Sequence, residues 1–101
     1  MSDSDSVARR TVVVTDPIGV HLRTATNMAA VVGRSRSRVT VIKGDRQVPA
    51  ADIFGVLTLD TPTGQSLTLE AVGQDAEAVL DALVPFFEGR FPEEANQRHA
   101  R

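Results

Sequence analysis

The sequence predicts an α+β domain in which helices cover one face of an antiparallel sheet. Three observations lead there. Short runs rich in β-branched residues alternate with stretches of helical periodicity. Glycine, proline and aspartate punctuate the joins. Each strand-like run offers one apolar face and each helix one stripe, so helices belong on one side of the sheet and water on the other. The resulting order is β-α-β-β-α-β-α. Periodicity alone does not separate this from other ferredoxin-like or split β-α-β arrangements.

The strands and helices follow in order. Arg9 to Thr15 is the first strand, closed by Asp16-Pro17, because proline cannot donate to a ladder. Leu22 to Val32 is the first helix: Leu22, Ala25, Met28, Ala29 and Val32 recur at helical spacing, and Gly33 follows as a C-cap. Val39 to Lys43 and Arg46 to Val48 are strands joined at Gly44-Asp45, which suits a two-residue II′ hairpin. Asp52 is a natural N-cap for a short helix, Ile53 to Leu59. Ser66 to Val72 alternates Leu67, Leu69 and Ala71 with polar residues, the period of a half-buried strand. Asp75 caps the last helix, whose stripe is Val79, Leu80, Leu83 and Phe86 or Phe87. Pro85 should kink or end that helix near Val84.

With 101 residues there is material for one core but not for two. Residues 1–6 read as a disordered tail, 7–91 as the domain and 92–101 as a flexible tail. The net charge of −2 gathers neither nucleic acid nor anionic lipid. The alternating arginines Arg34, Arg36 and Arg38 have no aromatic neighbour, so they read as a complement to a helix C-terminus and a solvated strand edge. Without cysteine there is no disulfide framework and no thiolate chemistry. His21 and His99 are the only histidines, outside any metal-binding pattern, so no metal is expected. The start is acidic and polar, unlike a signal peptide, and no apolar run approaches the ~20 residues of a membrane span. A cytoplasmic monomer is the expectation.

The stretch with chemical content is Ile18 to Ala30. His21 falls at or beside a helix N-cap, with Arg23 in the first turn. A helix start has unpaired N–H groups and a partial positive charge, so it holds an anion such as phosphate. The dipole and Arg23 both disfavour a positive imidazole, which leaves a neutral nucleophile beside an anion cradle. That combination suits phosphoryl transfer onto histidine. The plainer reading of a histidine before a helix is a surface residue or a poor cap. His99, in a polar tail, reads as incidental.

Gly19-Val20-His21-Leu22-Arg23-Thr24-Ala25 resembles the G-[LIV]-H-A-R-P-A signature of HPr, the histidine-containing phosphocarrier family of the bacterial phosphoenolpyruvate:sugar phosphotransferase system. Val48 to Leu57 resembles that family's regulatory-site helix, and Gly73 to Leu83 its final helix. The resemblance spans about Arg9 to Phe91. It implies an open-faced β-sandwich: a four-stranded antiparallel sheet in order 1-4-2-3 with three helices on one face. It also implies a phosphocarrier rather than a stand-alone enzyme. Enzyme I passes a phosphoryl group from phosphoenolpyruvate to Nδ1 of His21, and enzyme IIA receives it. Arg23 and the backbone N–H groups of Leu22, Arg23 and Thr24 would attend the phosphate. No cofactor is needed by this chain, since Mg²⁺ belongs to enzyme I.

Two departures stand out. Thr24 replaces the usual proline, giving up rigidity and adding an N–H and a hydroxyl near the phosphate. Asp52 replaces a serine that in many relatives a dedicated kinase phosphorylates for regulation; a carboxylate cannot accept that phosphate, and its negative charge would weakly imitate the modified state. Ile53, Phe54 and Leu57 form the family's docking patch by resemblance. A helix this short cannot bury all three, so at least Phe54 or Leu57 is expected to be exposed. The alternative function is a regulatory module acting through its phosphorylation state rather than in sugar uptake.

Overall fold

The computed structural model describes residues 6–92. In chain order these are β1 (Ser6–Val13), α1 (Leu22–Arg34), β2 (Ser37–Lys43), β3 (Arg46–Pro49), α2 (Ile53–Thr58), β4 (Ser66–Gly73) and α3 (Ala76–Leu83), which runs into a 3-10 turn at Val84–Glu88. The sheet has the order β1-β4-β2-β3, and every neighbouring pair is antiparallel. Both the fold class and the strand order are those the sequence resemblance implied.

Alternation along the strands decides which face is covered. Ala8 and Val12 of β1, Val39 and Val41 of β2, and Leu67, Leu69 and Ala71 of β4 are buried. They share one core with Ala25, Met28 and Val32 of α1, Val56 of α2, and Val79, Leu80 and Leu83 of α3. The opposite face is open to solvent and mixes polar pairs with the exposed Val7 and Val13: Arg9 pairs with Glu70 at 2.8 Å, and the hydroxyls of Thr11 and Thr68 lie 3.3 Å apart. Among the described residues, no helix is long and apolar enough to cross a membrane.

Local chemistry explains most boundaries. Gly44 has φ +62°, which a II′ hairpin requires at its first central residue. The N–H of Gly55 donates to Asp52 Oδ1 at 3.0 Å, so Asp52 is the N-cap of α2. A Cβ at Gly55 would stand 2.5 Å from Asp52 Oδ2, so glycine leaves room for the cap it serves. At the other end of α2, Arg46 donates to the Thr58 carbonyl at 2.9 Å. Lys43 donates to those of Leu59 and Asp60 at 3.0 and 2.7 Å. Two cations from the β2–β3 hairpin thus satisfy the carbonyl end of the helix.

Four sequence expectations need correction. Strand β1 begins at Ser6 and ends at Val13. Val14 bonds instead to the loop before β4, donating to the Gln65 carbonyl at 2.9 Å and accepting from Gly64 at 2.7 Å. Helix α1 runs through Gly33 to Arg34, and Ser35 ends it by directing both its N–H and its hydroxyl to the Val32 carbonyl. Leu22 is exposed rather than core-facing, because at 100° per residue it lies about 90° around α1 from the Ala25–Met28–Val32 stripe. Asp75 is the N-cap residue of α3, but its side chain makes no capping bond. Its carboxylate accepts instead from the Ser37 hydroxyl at 2.5 Å and the Arg36 N–H at 3.0 and 3.2 Å. The Ser37 hydroxyl, with the Arg36 N–H behind it, holds that carboxyl below the usual aspartate range. The expected break at Pro85 is present: α3 ends at Leu83 and tightens into the 3-10 turn.

Candidate functional site

His21 is the N-cap residue of α1, in extended backbone conformation, and its carbonyl accepts the first helical bond from Ala25 at 3.0 Å. The loop that delivers it is pinned from below. Val20 donates to the Thr61 carbonyl at 2.9 Å, and Gly19 donates to the Asp16 carbonyl at 2.9 Å. Gly19 has φ +85°, and a Cβ there would meet the Thr61 carbonyl oxygen at 2.9 Å. The glycine two residues before the histidine is therefore required both by its backbone angle and by close approach.

The imidazole is about a quarter exposed, and its Nε2 lies 3.1 Å from Oδ2 of Asp16, a carboxylate that is nearly fully buried. Asp16 is held in turn. Its Oδ1 accepts the Ile18 N–H at 3.0 Å, and its own N–H donates to the Phe87 carbonyl at 3.1 Å. That carbonyl also takes the Thr15 N–H at 3.0 Å, so the 3-10 turn anchors the loop. Phe91 completes the site. Its ring meets the imidazole edge-on at 5.9 Å, stacks on Phe86 at 5.7 Å, and lies 4.8 Å below the Arg23 guanidinium. The cation is thus placed over an aromatic face beside His21.

The residues anticipated from sequence are distributed as follows. His21, Leu22 and Arg23 lie together at the exposed start of α1. Thr24 follows them in the first turn with its side chain turned inward: it is fully buried, and its hydroxyl accepts the His21 N–H at 3.3 Å. The expectation of a hydroxyl beside the phosphate is corrected, since Thr24 closes the helix start from inside. On α2, which packs against α1, Phe54 is 78% exposed, whereas Ile53 and Leu57 are half-buried against the core. Ile18 and Leu22, on either side of His21 in sequence, are also exposed apolar residues. Asp52 is exposed at the α2 cap. His99 and both tails, apart from Ser6 and Pro92, lie outside the described residues.

Sequence reasoning missed Asp16 and Phe91. Asp16 read as a strand terminator before proline, and Phe91 as the last residue of the domain, with no role assigned. A carboxylate five residues before the histidine, across a glycine turn, was the available signal for Asp16. Phe91 gave none, because only the turn at Pro85 folds it back over α1.

Comparisons with known proteins agree with this arrangement. Residues 8–89 match the family described as PTS-HPr, "PTS HPr component phosphorylation site". The chain is 34% identical to phosphocarrier protein NPr of Shewanella violacea, over 83% of this chain and 92% of that one. It is 32% identical to phosphocarrier protein HPr of Cupriavidus necator, over 84% and 96% of the respective chains. Among solved structures, the phosphocarrier protein HPr from Bacillus anthracis superposes with a TM-score of 0.74 at 27% identity, covering 80% of this chain and 96% of that one. Strand order, the glycine-pinned histidine at a helix start and these likenesses agree, and the chain belongs to the HPr family of phosphotransferase-system phosphocarrier proteins.

Proposed function

We propose that this protein is a cytoplasmic, monomeric relay that accepts a phosphoryl group from enzyme I on Nδ1 of His21 and hands it to an enzyme IIA. The observation that carries the reading is the orientation of the ring. Nε2 is engaged by buried Asp16, which leaves Nδ1 to meet an incoming phosphorus at the positive end of α1. The N–H groups of Leu22, Arg23 and Thr24 stand at that helix start, and the Arg23 guanidinium adds charge as negative oxygens develop in transfer. The N–P bond is a high-potential link, so the group leaves again without a cofactor. The Thr24 hydroxyl supports the site through its bond to the His21 backbone.

A relay must bind several partners briefly, which calls for a small apolar surface rather than a large permanent one. Phe54, Ile18 and Leu22 provide exposed apolar side chains for it, with Ile53 and Leu57 as its buried support. Asp52 places a fixed negative charge at the start of α2. That carboxylate accepts the Gly55 N–H, so the same side chain caps α2 and sets the charge beside it. A role in regulation rather than sugar uptake is the second reading, favoured by this unmodifiable position and by the likeness to NPr.

Incubation with enzyme I, phosphoenolpyruvate and Mg²⁺ tests the reading. The expected result is an acid-labile mass gain of one phosphoryl group, absent in His21→Ala and discharged on addition of an enzyme IIA. Labelling that survives in His21→Ala would contradict it; labelling without discharge to any sugar-linked IIA would select the regulatory reading.

A further inference from the structure

We infer that Asp16 is a positioning residue for phosphoryl transfer: it holds the proton of neutral His21 on Nε2 and so keeps the lone pair on Nδ1. The inference rests on the carrier reading above and adds to it the group that chooses the reacting nitrogen. Asp16 is 5% exposed, and its two oxygens have separate tasks: Oδ1 takes the Ile18 N–H at 3.0 Å, and Oδ2 faces Nε2 at 3.1 Å. An ionised carboxylate only accepts hydrogen bonds, so Nε2 must be the protonated nitrogen. In a neutral imidazole the proton can occupy only one nitrogen, and Nδ1 is left as the base.

The carboxylate has been given a place in the fold. The Phe87 carbonyl anchors its backbone from the 3-10 turn. Gly89, at φ +81°, leaves beside it the space that a Cβ would fill at 3.1 Å from Asp16 Cγ. Two remote features, the break at Pro85 and the left-handed glycine after it, therefore converge on one buried oxygen pair.

The group also bears on the transfer itself. The Nδ1–P bond forms as the bond between phosphorus and its donor atom on enzyme I breaks, and the bonding pair leaves with that donor atom. His21 then holds phosphoryl on Nδ1 and a proton on Nε2, so its ring takes on a positive charge. Asp16 faces that charge through a charge-assisted bond.

The isosteric variant Asp16→Asn gives an unusual test. The Ile18 N–H requires an acceptor, so the amide oxygen takes the Oδ1 position and the amide NH₂ is turned toward Nε2. Nε2 can receive that donor only if it is unprotonated, and the proton moves to Nδ1. Long-range ¹H–¹⁵N correlation on the neutral ring, in a His99→Gln background that leaves one imidazole, reads the tautomer directly. Wild type is expected to favour Nε2–H by about ten to one or more, the ratio one charge-assisted bond supports. Asp16→Asn should reverse the preference and slow phosphorylation by enzyme I about tenfold at unchanged melting temperature. A wild-type ring protonated on Nδ1, or an Asp16→Asn protein with unchanged tautomer or unchanged rate, overturns the inference. A wild-type ring held as Nε2–H that accepts no phosphoryl group supports the tautomer assignment and overturns the carrier reading instead.

Discussion

At the scale of single residues, the site depends on groups that are buried more than on groups that react. Gly19, Thr24 and Asp16 present no reactive atom to solvent, yet each fixes one side of His21: the turn before it, its backbone N–H and its ring. Gly19→Ala puts a methyl group 2.9 Å from the Thr61 carbonyl at a positive φ, so it should cost about 1–3 kcal/mol of stability and slow phosphorylation as the loop shifts. Chemical denaturation alongside transfer kinetics measures both; unchanged stability would mean that the loop yields freely. The proposed reactive cluster Gly19-His21-Arg23 is visible in the sequence because its residues are adjacent and stand at a helix start. Asp16 and Phe91 could not be read so easily. Their contacts depend on where the loop and the 3-10 turn meet, and no periodicity encodes that meeting.

At the scale of elements, caps determine orientation. The Asp52 cap and the cations Lys43 and Arg46 hold both ends of α2, so a six-residue helix with an internal glycine keeps one register against the core. That register buries Val56 and turns Phe54 outward. Sequence narrowed the exposed residue to Phe54 or Leu57; packing decided, because Leu57 is half-buried against the core and Phe54 is not. Phe54→Ala is therefore expected to change folding stability by no more than about 0.5 kcal/mol. It should weaken enzyme I binding by about 1–2 kcal/mol, as an exposed anchor does. A titration with enzyme I and a thermal melt separate the two effects, and lost stability with unchanged affinity would remove Phe54 from the docking surface. Errors at element ends have a common cause: Ser35, Val14 and Asp75 each bond to a neighbour distant in sequence or turn a side chain where local rules expect another.

At the scale of the molecule, the antiparallel sheet gathers the parts of the candidate site at one region, and the residues around His21 come from the connections rather than from the strands. The β1–α1 loop supplies His21, the loop before β4 supplies the floor under Gly19, and the segment after α3 supplies the Phe87 carbonyl and Phe91. Alternation and helical stripes made the sheet, its covered face and the order of elements readable in advance. The central claim, that this framework offers Nδ1 of His21 and no other atom to a phosphoryl donor, is tested most directly by ³¹P and ¹⁵N NMR of the protein charged by enzyme I and phosphoenolpyruvate. A single phosphoramidate signal coupled to Nδ1 of His21, with the proton on Nε2, is the result predicted. Phosphorus on Nε2, or an acid-stable phosphate on a hydroxyl, would contradict it.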